Sequence, residues 1–194
     1  MLQFTLSAKH AKNLVKALEN INEDAVFRFD RDGLSVSVSD TFRNRLLEIH
    51  LPAEFFTIYR CESSLDLGVI ISRLREVTKT LKAKDEVSGS FDQEVPNFLI
   101  LTANGIRRRV RLVNTDLLKS PPPMIYDDFI YTAELDSSAI SDFMKASSNF
   151  HTLEVSVIPA SFTITSQEGE EEVSMQFTSD DVSLRLELSD SLTT

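Results

Sequence analysis

Three lysines near the N-terminus have the spacing to bind phosphate groups together. Lys9, Lys12 and Lys16 are three and four residues apart, so on a helix with 100° per residue they lie within an arc of about 60°. The opposite face carries apolar side chains such as Leu14 and Leu18. Clustered ammonium groups neutralise the phosphates of nucleic acid and position a duplex without reading its sequence.

A second predicted helix, residues 72–83, repeats this arrangement with Arg75, Lys79 and Lys82 on one face. For one helix alone, simple solvation of the exposed face would be the better explanation. Two helices of the same design in an acidic protein favour a surface that meets a polyanion. No aromatic residues alternate with these cations, so stacking on single-stranded bases is not expected.

A third predicted helix, residues 137–148, has a weaker version of the pattern. Its apolar face is predicted to hold Phe143 and Met144, and Lys145 is the one cation on the opposite face. Asp142 lies beside that lysine on the helix surface. The third helix is therefore expected to contribute less to a phosphate-binding surface.

The overall charge gives a misleading impression of these surfaces. The chain has 194 residues and a formal net charge of −10. Residues 1–120 carry 18 Lys and Arg against 16 Asp and Glu, whereas residues 121–194 carry 2 against 14. Whole-chain charge would argue against nucleic acid as a partner, but the uneven distribution means that each surface has to be considered separately.

The elements that position the cations are predicted to be mostly strands, which gives an α+β fold class. Apolar residues alternate with polar ones in many short runs, and Gly33 and Gly105 mark two tight turns between them. Ser7 is predicted to cap the first helix, which runs to about Ile21. In the first 113 residues, strands are predicted at 2–6, 25–30, 34–39, 46–51, 65–71, 87–91, 98–102 and 106–113.

The pattern of residues 4–38 recurs at residues 133–166, which indicates a duplicated domain. Lys16-Ala17 matches Lys145-Ala146, and Val26 matches Val155, at an offset of 129 positions. A second full copy would extend to about position 242, so we expect one complete domain and about half of another. In the second copy, strands are predicted at 129–135, 153–158, 162–165, 173–177 and 182–188.

Between the two copies lies an irregular segment with three consecutive prolines, Pro121, Pro122 and Pro123. Prolines in a row impose an extended path. We therefore predict a complete domain at residues 1–113, a connector at 114–127 and the first half of a second domain at 128–194.

Several kinds of site are not expected in this sequence. Cys61 is the single cysteine, so an intramolecular disulfide cannot form. Asp30 and Asp32 precede Gly33 as in a calcium loop, but the later ligands are missing. The histidines are scattered without ligand spacing, and no glycine-rich phosphate loop occurs. The longest apolar run, residues 67–71, is too short to cross a membrane. We predict no catalytic residues, no metal and no cofactor.

The sequence resembles the sliding clamps of the proliferating cell nuclear antigen family. The most specific matches are Phe-Thr-Ile-Tyr-Arg-Cys-Glu at 56–62 and Leu-Gly-Val at 67–69, followed by the predicted helix at 72–82. Leu-Val-Lys-Ala-Leu-Glu at 14–19 and Asp32-Gly33 add to them, and the prolines fall where the family has its interdomain connector. The resemblance covers essentially the whole chain, and it depends on the order and spacing of these pieces.

The resemblance implies a DNA-clamp fold of two similar domains, with antiparallel sheets outside and helices lining an inner face. It implies a DNA polymerase processivity factor without catalytic activity, which encircles duplex DNA as a ring of three chains. Lys12 and Lys79 correspond to lysines of relatives that face DNA, and Lys145 matches a basic position, while Asp142 replaces a cation. Such a protein is intracellular and DNA-associated, in the nucleus of a eukaryote or the cytoplasm and nucleoid of an archaeon.

Rings of this family close when an edge strand of one chain pairs with an edge strand of its neighbour. The resemblance assigns this role to residues 106–113 and 173–178. Opposite charges on the two edges would favour a head-to-tail contact, although charge can also simply protect an exposed edge from aggregation. The expected interface residues are Arg107, Arg108, Arg109, Arg111, Glu170, Glu171, Glu172, Met175 and Phe177.

Relatives also bind short motifs of DNA polymerase, clamp loader, nuclease and ligase in a groove between the connector and a nearby hairpin. Arg43 and Asn44 stand where relatives often have less polar residues. The resemblance places this groove at Arg43, Asn44, Leu46, Leu117, Leu118, Pro122 and Met124.

Two other functions stay open at this point. The chain could be a specialised clamp paralogue, such as a checkpoint clamp member or one unequal subunit of a heterotrimer. It could also be a protein-interaction module that binds no DNA.

Overall fold

The computed structural model describes residues 1–118, 121, 131–158, 161–178 and 185–188. The chain divides into two compact units, Met1–Pro123 and Met124–Thr194. This division falls within the segment predicted to be the connector.

The first unit contains two antiparallel sheets. One has the strand order β5-β1-β7-β8-β9 and the other the order β4-β3-β2-β6. The strands are β1 (Leu2–Ser7), β2 (Asp24–Phe29), β3 (Gly33–Ser39), β4 (Leu46–Pro52), β5 (Ile58–Cys61), β6 (Leu65–Ile70), β7 (Glu86–Phe91), β8 (Phe98–Ala103) and β9 (Ile106–Arg111).

Two helices connect the sheets of the first unit. The first, α1 (Ala8–Glu19), begins as predicted, because the Ser7 hydroxyl accepts a hydrogen bond of 3.3 Å from the backbone N–H of His10. The second, α2 (Ile71–Thr78), is shorter than the predicted helix 72–83. The prediction of its end was wrong, and Lys79 and Lys82 lie beyond the helix.

A turn at residues 82–85 occupies the end of the segment that was predicted to be helical. The Asp85 carboxylate accepts a hydrogen bond of 2.6 Å from the backbone N–H of Lys82, and the Asp85 N–H donates to the Lys82 carbonyl at 3.0 Å. Aspartate side chains of this kind stabilise turns in competition with a helix. The apolar spacing that suggested a longer helix continues to Leu81, which is buried without being helical.

The core of the first unit lies where the helices pack against the sheets. Alternate residues of the central strands are buried, as the burial of Phe27 and Phe29 on β2 illustrates. The ring of Phe4 on β1 stacks on that of Phe29 with 5.4 Å between centroids and contacts Phe56 edge-on at 5.9 Å. From α1, the core receives Ala8, Ala11, Leu14, Val15 and Leu18.

The sequence did not predict strand β5 or two short 3-10 helices, Ala53–Phe55 and Thr115–Leu117. β5 pairs with β1 in the register Leu2↔Cys61. Ile58 at its start is exposed, so the strand lacks the apolar alternation that identifies the others. Its position depends on pairing with a strand that lies far away in sequence.

The second unit contains the two-stranded sheet β10-β14 and the three-stranded sheet β11-β12-β13. Its helix α3 (Ser137–Ala146) is capped by Asp136, whose carboxylate accepts a 2.7 Å hydrogen bond from Ser138 N–H. Predicted positions 129–130 and 182–184 lie outside the described residues. The strands are β10 (Tyr131–Glu134), β11 (Glu154–Ile158), β12 (Ser161–Glu168), β13 (Glu171–Thr178) and β14 (Arg185–Leu188).

Helix α3 packs less completely than the sequence predicts. Phe143 is buried, as expected, but Met144 is exposed although it was assigned to the apolar face. Among the described residues of the second unit, no other helix packs beside α3, whereas α1 packs against α2 in the first unit. On β11, Val155 and Ile158 are also exposed.

Candidate nucleic-acid interface

The predicted cations of the first unit lie around the packed pair α1 and α2. Burial of one face of each helix leaves Lys9, Lys12 and Lys16 exposed on α1 and Arg75 exposed on α2. The exposed side chains of Lys79 and Lys82 follow in the segment just after α2. The amphipathic pattern thus places the cationic side of both helices in solvent.

These cations differ in how strongly the protein itself holds them. Lys9 and Lys16 form no hydrogen bond or ion pair with any residue that the structure describes. Lys12, in contrast, donates a hydrogen bond of 2.6 Å from its ammonium to the carbonyl of Leu81. The ammonium of Lys82 also has no such partner among the described residues, since only its backbone N–H bonds Asp85. Lys9, Lys16 and Lys82 are therefore the cations most available to an external anion.

Two carboxylates lie within the cationic surface. The Arg75 guanidinium contacts the Glu19 carboxylate at 2.6 Å, and the Lys79 ammonium forms an ion pair with Glu76. All four side chains are partly exposed, so these pairs are expected to be weak and to be screened by salt.

Hydrogen bonds, and to a smaller extent nearby cations, lower the pKa of two carboxyl groups at this surface. The hydrogen bond from Lys79 lowers the pKa of Glu76, and the charges of Lys79, Arg108 and Arg75 act in the same direction. The pKa of Asp85 is lowered chiefly by the hydrogen bond from Asn104.

Arg73 is a cation of this region that sequence reasoning missed. Its guanidinium donates a 2.6 Å hydrogen bond to the carbonyl of Arg111, which fastens the start of α2 to the end of β9. Its half-buried position and its distance from the other cations in the helical pattern give it a structural role. The sequence did hold a signal for this separate role. Arg73 lies two residues before Arg75, and residues two apart on a helix point in different directions.

In the second unit, Lys145 is exposed on α3 and forms an ion pair of 2.8 Å with Asp142. The carboxylate that the sequence placed beside this lysine therefore partly neutralises it. The described part of α3 presents no second cation.

The two strands predicted to join neighbouring chains are both at sheet edges. β9 is the last strand of its sheet, and its burial pattern leaves Arg107, Arg108, Arg109 and Arg111 exposed while Val110 is buried. Strand alternation puts Arg108 on the side of Val110 and the other three arginines on the opposite side.

One of these arginines is positioned by an aromatic ring. The Arg109 guanidinium carbon lies 4.1 Å from the centroid of Phe98 on the neighbouring strand β8. A cation–π contact of this kind holds the guanidinium in place while its charge stays exposed.

β13 is an edge strand of the three-stranded sheet in the described part of the second unit. Glu171 and Glu172 at its start are exposed, and Glu170 precedes them in the turn. Met175 is half-buried and Phe177 is buried, with its ring 6.2 Å from that of Phe162. Phe177 thus packs inside its own unit, whereas the glutamates face solvent.

The structure brings together only part of the predicted partner groove. A groove of about 850 Å³ crosses the outer face of the sheet β4-β3-β2-β6, and Leu118 and Pro121 line it. Leu117 is 80% exposed and lies outside its lining. Arg43, Asn44 and Leu46 also lie outside the lining, and Arg43 has a φ of 58° in the turn before β4. Pro122 and Met124 lie outside the described residues.

Charged and polar side chains make up part of the lining of this groove, beside Val26 and Ile49. Arg28 forms a two-pronged ion pair with Asp66 at 3.0 Å, and Ser35 hydrogen-bonds His50 at 3.0 Å across the strands. Asp116 also lines the groove. Sequence reasoning missed Arg28, Ser35, His50 and Asp66 because each alternates with core residues on an ordinary amphipathic strand. It missed Asp116 because it did not predict the short 3-10 helix Thr115–Leu117.

Within the part of the chain that the structure describes, no three His, Cys, Asp or Glu side chains form a group that could hold a metal ion. Among the same residues, no helix has the length and apolarity needed to cross a membrane.

Comparison with known proteins places these features in a family. The model for the proliferating cell nuclear antigen N-terminal domain matches residues 1–119. A DNA polymerase sliding clamp from Pyrococcus abyssi is 29% identical over 149 residues, which cover 71% of this chain and 59% of the relative. A DNA polymerase sliding clamp from Nitrosopumilus maritimus is 24% identical over 168 residues, covering 86% of this chain and 67% of that one.

Solved structures of the family have the same fold. The A. fulgidus proliferating cell nuclear antigen, solved with the C-terminal region of FEN-1, has a TM-score of 0.86 at 16% identity and covers 92% of this chain and 72% of its own. The Thermococcus kodakaraensis protein has a TM-score of 0.81 at 21% identity, with coverages of 97% and 77%.

The chain spans about three fifths of the length of the first Pyrococcus and Thermococcus relatives. The family match, in contrast, extends over more than half of this chain and includes both cation-bearing helices of the first unit. The chain therefore belongs to the proliferating cell nuclear antigen family.

Proposed function

We propose that this chain is a sliding clamp subunit, which surrounds duplex DNA and tethers DNA polymerase and other replication and repair proteins to it. The observation that carries the proposal is the exposed cationic surface of α1, α2 and the segment after α2, in a protein whose formal net charge is −10. Cations concentrated on one surface of an acidic protein match the phosphate backbone of DNA, which is bound without sequence preference.

The proposal includes a complete clamp domain at residues 1–113, a connector at 114–127 and part of a second domain at 128–194. Three chains would form the ring, with β9 of one chain against β13 of the next. Arg107, Arg109 and Arg111 on the first edge and Glu171 and Glu172 on the second support this pairing. Complementary charge guides such head-to-tail contacts and fixes their register.

Partner proteins would dock on the side of the four-stranded sheet, next to Leu118. The relative from A. fulgidus was solved with the C-terminal region of FEN-1, which supports docking by short segments. The groove beside Leu118 and Pro121 is where we expect such a segment to lie. Polymerase, clamp loader, nuclease and ligase are the proposed partners.

DNA binding at different salt concentrations tests the central proposal. Reversing the charge of Lys9 and Lys16 together should weaken binding to duplex DNA at least tenfold at low salt, because two phosphate contacts become repulsive. It should also remove stimulation of a polymerase on long templates. A single reversal on another surface, Arg60→Glu, is compared with the single reversals of Lys9 and Lys16, since Arg60 is exposed on β5 and directly opposite Gln3 of β1, away from α1.

If polymerase stimulation survives the reversal of Lys9 and Lys16, the chain does not surround DNA through this surface. Mass measurement in solution tests the ring separately. A species of three chains is expected, and reversal of Arg109 should shift it toward single chains. A single-chain mass at all concentrations would contradict self-assembly and would favour an unequal partner subunit.

A further inference from the structure

Two glutamates interrupt the cationic surface of the first unit. Glu19 is the last residue of α1 and contacts Arg75 of α2 at 2.6 Å, 56 positions away in the sequence. Glu76 lies on α2 and forms an ion pair with Lys79 in the segment just after the helix. Each glutamate therefore occupies a cation that could otherwise reach a phosphate.

Glu19 has an unfavourable position for helix stability. A helix C-terminus carries partial negative charge, which disfavours a carboxylate there. The Glu19 carboxylate has a favourable contact with the Arg75 guanidinium, which lies 2.6 Å away on α2. Replacing this carboxylate with an amide should therefore leave the helix itself intact.

Glu76 is surrounded by positive charge. Besides Lys79, the charges of Arg108 and Arg75 act on its carboxyl group and lower its pKa. The side chains of Glu76 and Lys79 are 42% and 54% exposed. Ion pairs this exposed are weak, so an incoming phosphate can compete with the carboxylate for the lysine.

We propose that Glu19 and Glu76 compete with DNA phosphates for Arg75 and Lys79, and so keep the contact of this surface with DNA weak and short-lived. The inference rests on the proposed function. It distinguishes the cations that have a carboxylate partner from those that have none. Lys9 and Lys16, which have no partner among the described residues, would hold the phosphates continuously. Arg75 and Lys79 would exchange between their carboxylate and the phosphate backbone.

The consequence concerns movement along DNA. Each phosphate contact releases counterions, and the number of contacts sets how steeply affinity falls with salt. A cation that can return to its own carboxylate releases a phosphate more easily than a cation that has no carboxylate partner. Competition within the protein should therefore favour sliding over tight binding.

The test is duplex DNA binding by the whole chain with Glu19→Gln, Glu76→Gln and both together, from low to physiological salt. Each single change should raise affinity about threefold or more at low salt and should steepen the salt dependence, by up to about one further phosphate contact. The double variant should combine both effects and should diffuse more slowly along DNA.

The matched control is Glu94→Gln. Glu94 is exposed in the turn between β7 and β8, and its replacement changes the net charge by the same amount. If Glu94→Gln raises affinity as much as Glu19→Gln, the effect is one of total charge and the inference is overturned. A second control combines Glu19→Gln with Arg75→Gln, in which the gain should disappear because Arg75 is already absent.

The outcome also separates this inference from the proposed function. If reversing Lys9 and Lys16 abolishes DNA binding but the glutamate variants behave like Glu94→Gln, the clamp function stands and the competition does not. If DNA binding is insensitive to Lys9 and Lys16 as well, the proposed function itself fails.

Discussion

The ammonium of Lys12 on α1 donates a hydrogen bond of 2.6 Å to the backbone carbonyl of Leu81, three residues beyond the end of α2. Leu81 is buried, and its side chain packs in the core of the first unit. The bond thus joins the first helix to the segment where the second one ends. A lysine chosen from the sequence for phosphate binding also holds the fold together.

We expect Lys12→Ala to lower the free energy of unfolding by about 1 kcal/mol, because a partly exposed charged donor contributes about that much. Lys16→Ala removes the same charge four residues later on α1 and should change stability little. Urea unfolding of both variants measures the difference. Equal stability of the two would show that the Lys12 bond adds nothing to the fold.

Gly89 on β7 lies against the ring of Phe4 on the neighbouring strand β1. A Cβ atom at Gly89 would lie 2.1 Å from Cζ of that ring, far inside van der Waals contact. Because Phe4 is held by Phe29 and Phe56, the ring has little room to move. Gly89→Ala should therefore destabilise the first unit by about 1–3 kcal/mol, as overpacking does.

Ser90→Ala is the control for Gly89→Ala, since Ser90 is the next residue of β7 and is exposed. It should change the denaturation midpoint little. If Gly89→Ala unfolds at the same denaturant concentration as the unsubstituted chain, the contact between β7 and the Phe4 ring is looser than the structure indicates.

The hydroxyl of Tyr59 lies 2.6 Å and 2.5 Å from the carbonyl oxygens of Asp30 and Gly33, and shares its proton between them. Tyr59→Phe leaves both carbonyls without this donor and should cost about 1–2 kcal/mol of stability. Thermal unfolding at neutral pH measures the loss. An unchanged melting temperature would mean that water replaces the hydroxyl without penalty.

Ionisation of Tyr59 should also make the stability of the fold depend on pH in alkaline solution. Burial raises the pKa of Tyr59 above its ordinary value, and the charges of Cys61 and Asp30 act in the same direction. The neutral phenol is therefore favoured in the fold, and its contribution is complete below about pH 10, where an unfolded tyrosine begins to ionise. Stability should fall as pH rises above that value, and less steeply in Tyr59→Phe.

The sequence predicts α1 well because two independent signals agree. Its apolar positions repeat with helical spacing, and Ser7 supplies a cap at the right position. The end of α2 was predicted too late, because the apolar spacing continues to Leu81 although the helix ends at Thr78 and a turn at residues 82–85 follows it. Strand β5 was missed because its pairing with β1 is a long-range contact that no local pattern records.

The candidate site likewise combines features that local patterns predict with long-range contacts that they do not. The cations could be identified by residue type and helical spacing, although Lys79 and Lys82 lie beyond the end of α2. Their partners could not, because Glu19 meets Arg75 across 56 positions and Leu81 meets Lys12 across 69. Whether a cation is free or occupied depends on how the helices pack, which the amphipathic pattern does not specify.

Helices α1 and α3 occupy matching positions of the repeat. Val15 on α1 is 5% exposed, whereas Met144 on α3, which lies at the offset of 129 positions, is 55% exposed. In the first unit, α1 packs against α2 and β2 pairs with β6. Among the described residues of the second unit, α3 has no neighbouring helix and β11 pairs on one side only.

Because few apolar side chains are buried there, α3 should open at a lower free energy than α1. We expect its backbone amides to exchange with solvent deuterium at least tenfold faster than those of α1, at a protein concentration where the chain is a single copy. The two helices are a matched pair, since they have similar lengths and side-chain caps. Equal protection would show that the second unit is as stable as the first despite its exposed Met144. Protection of α3 that rises with protein concentration, while α1 stays constant, would show that another chain covers this face.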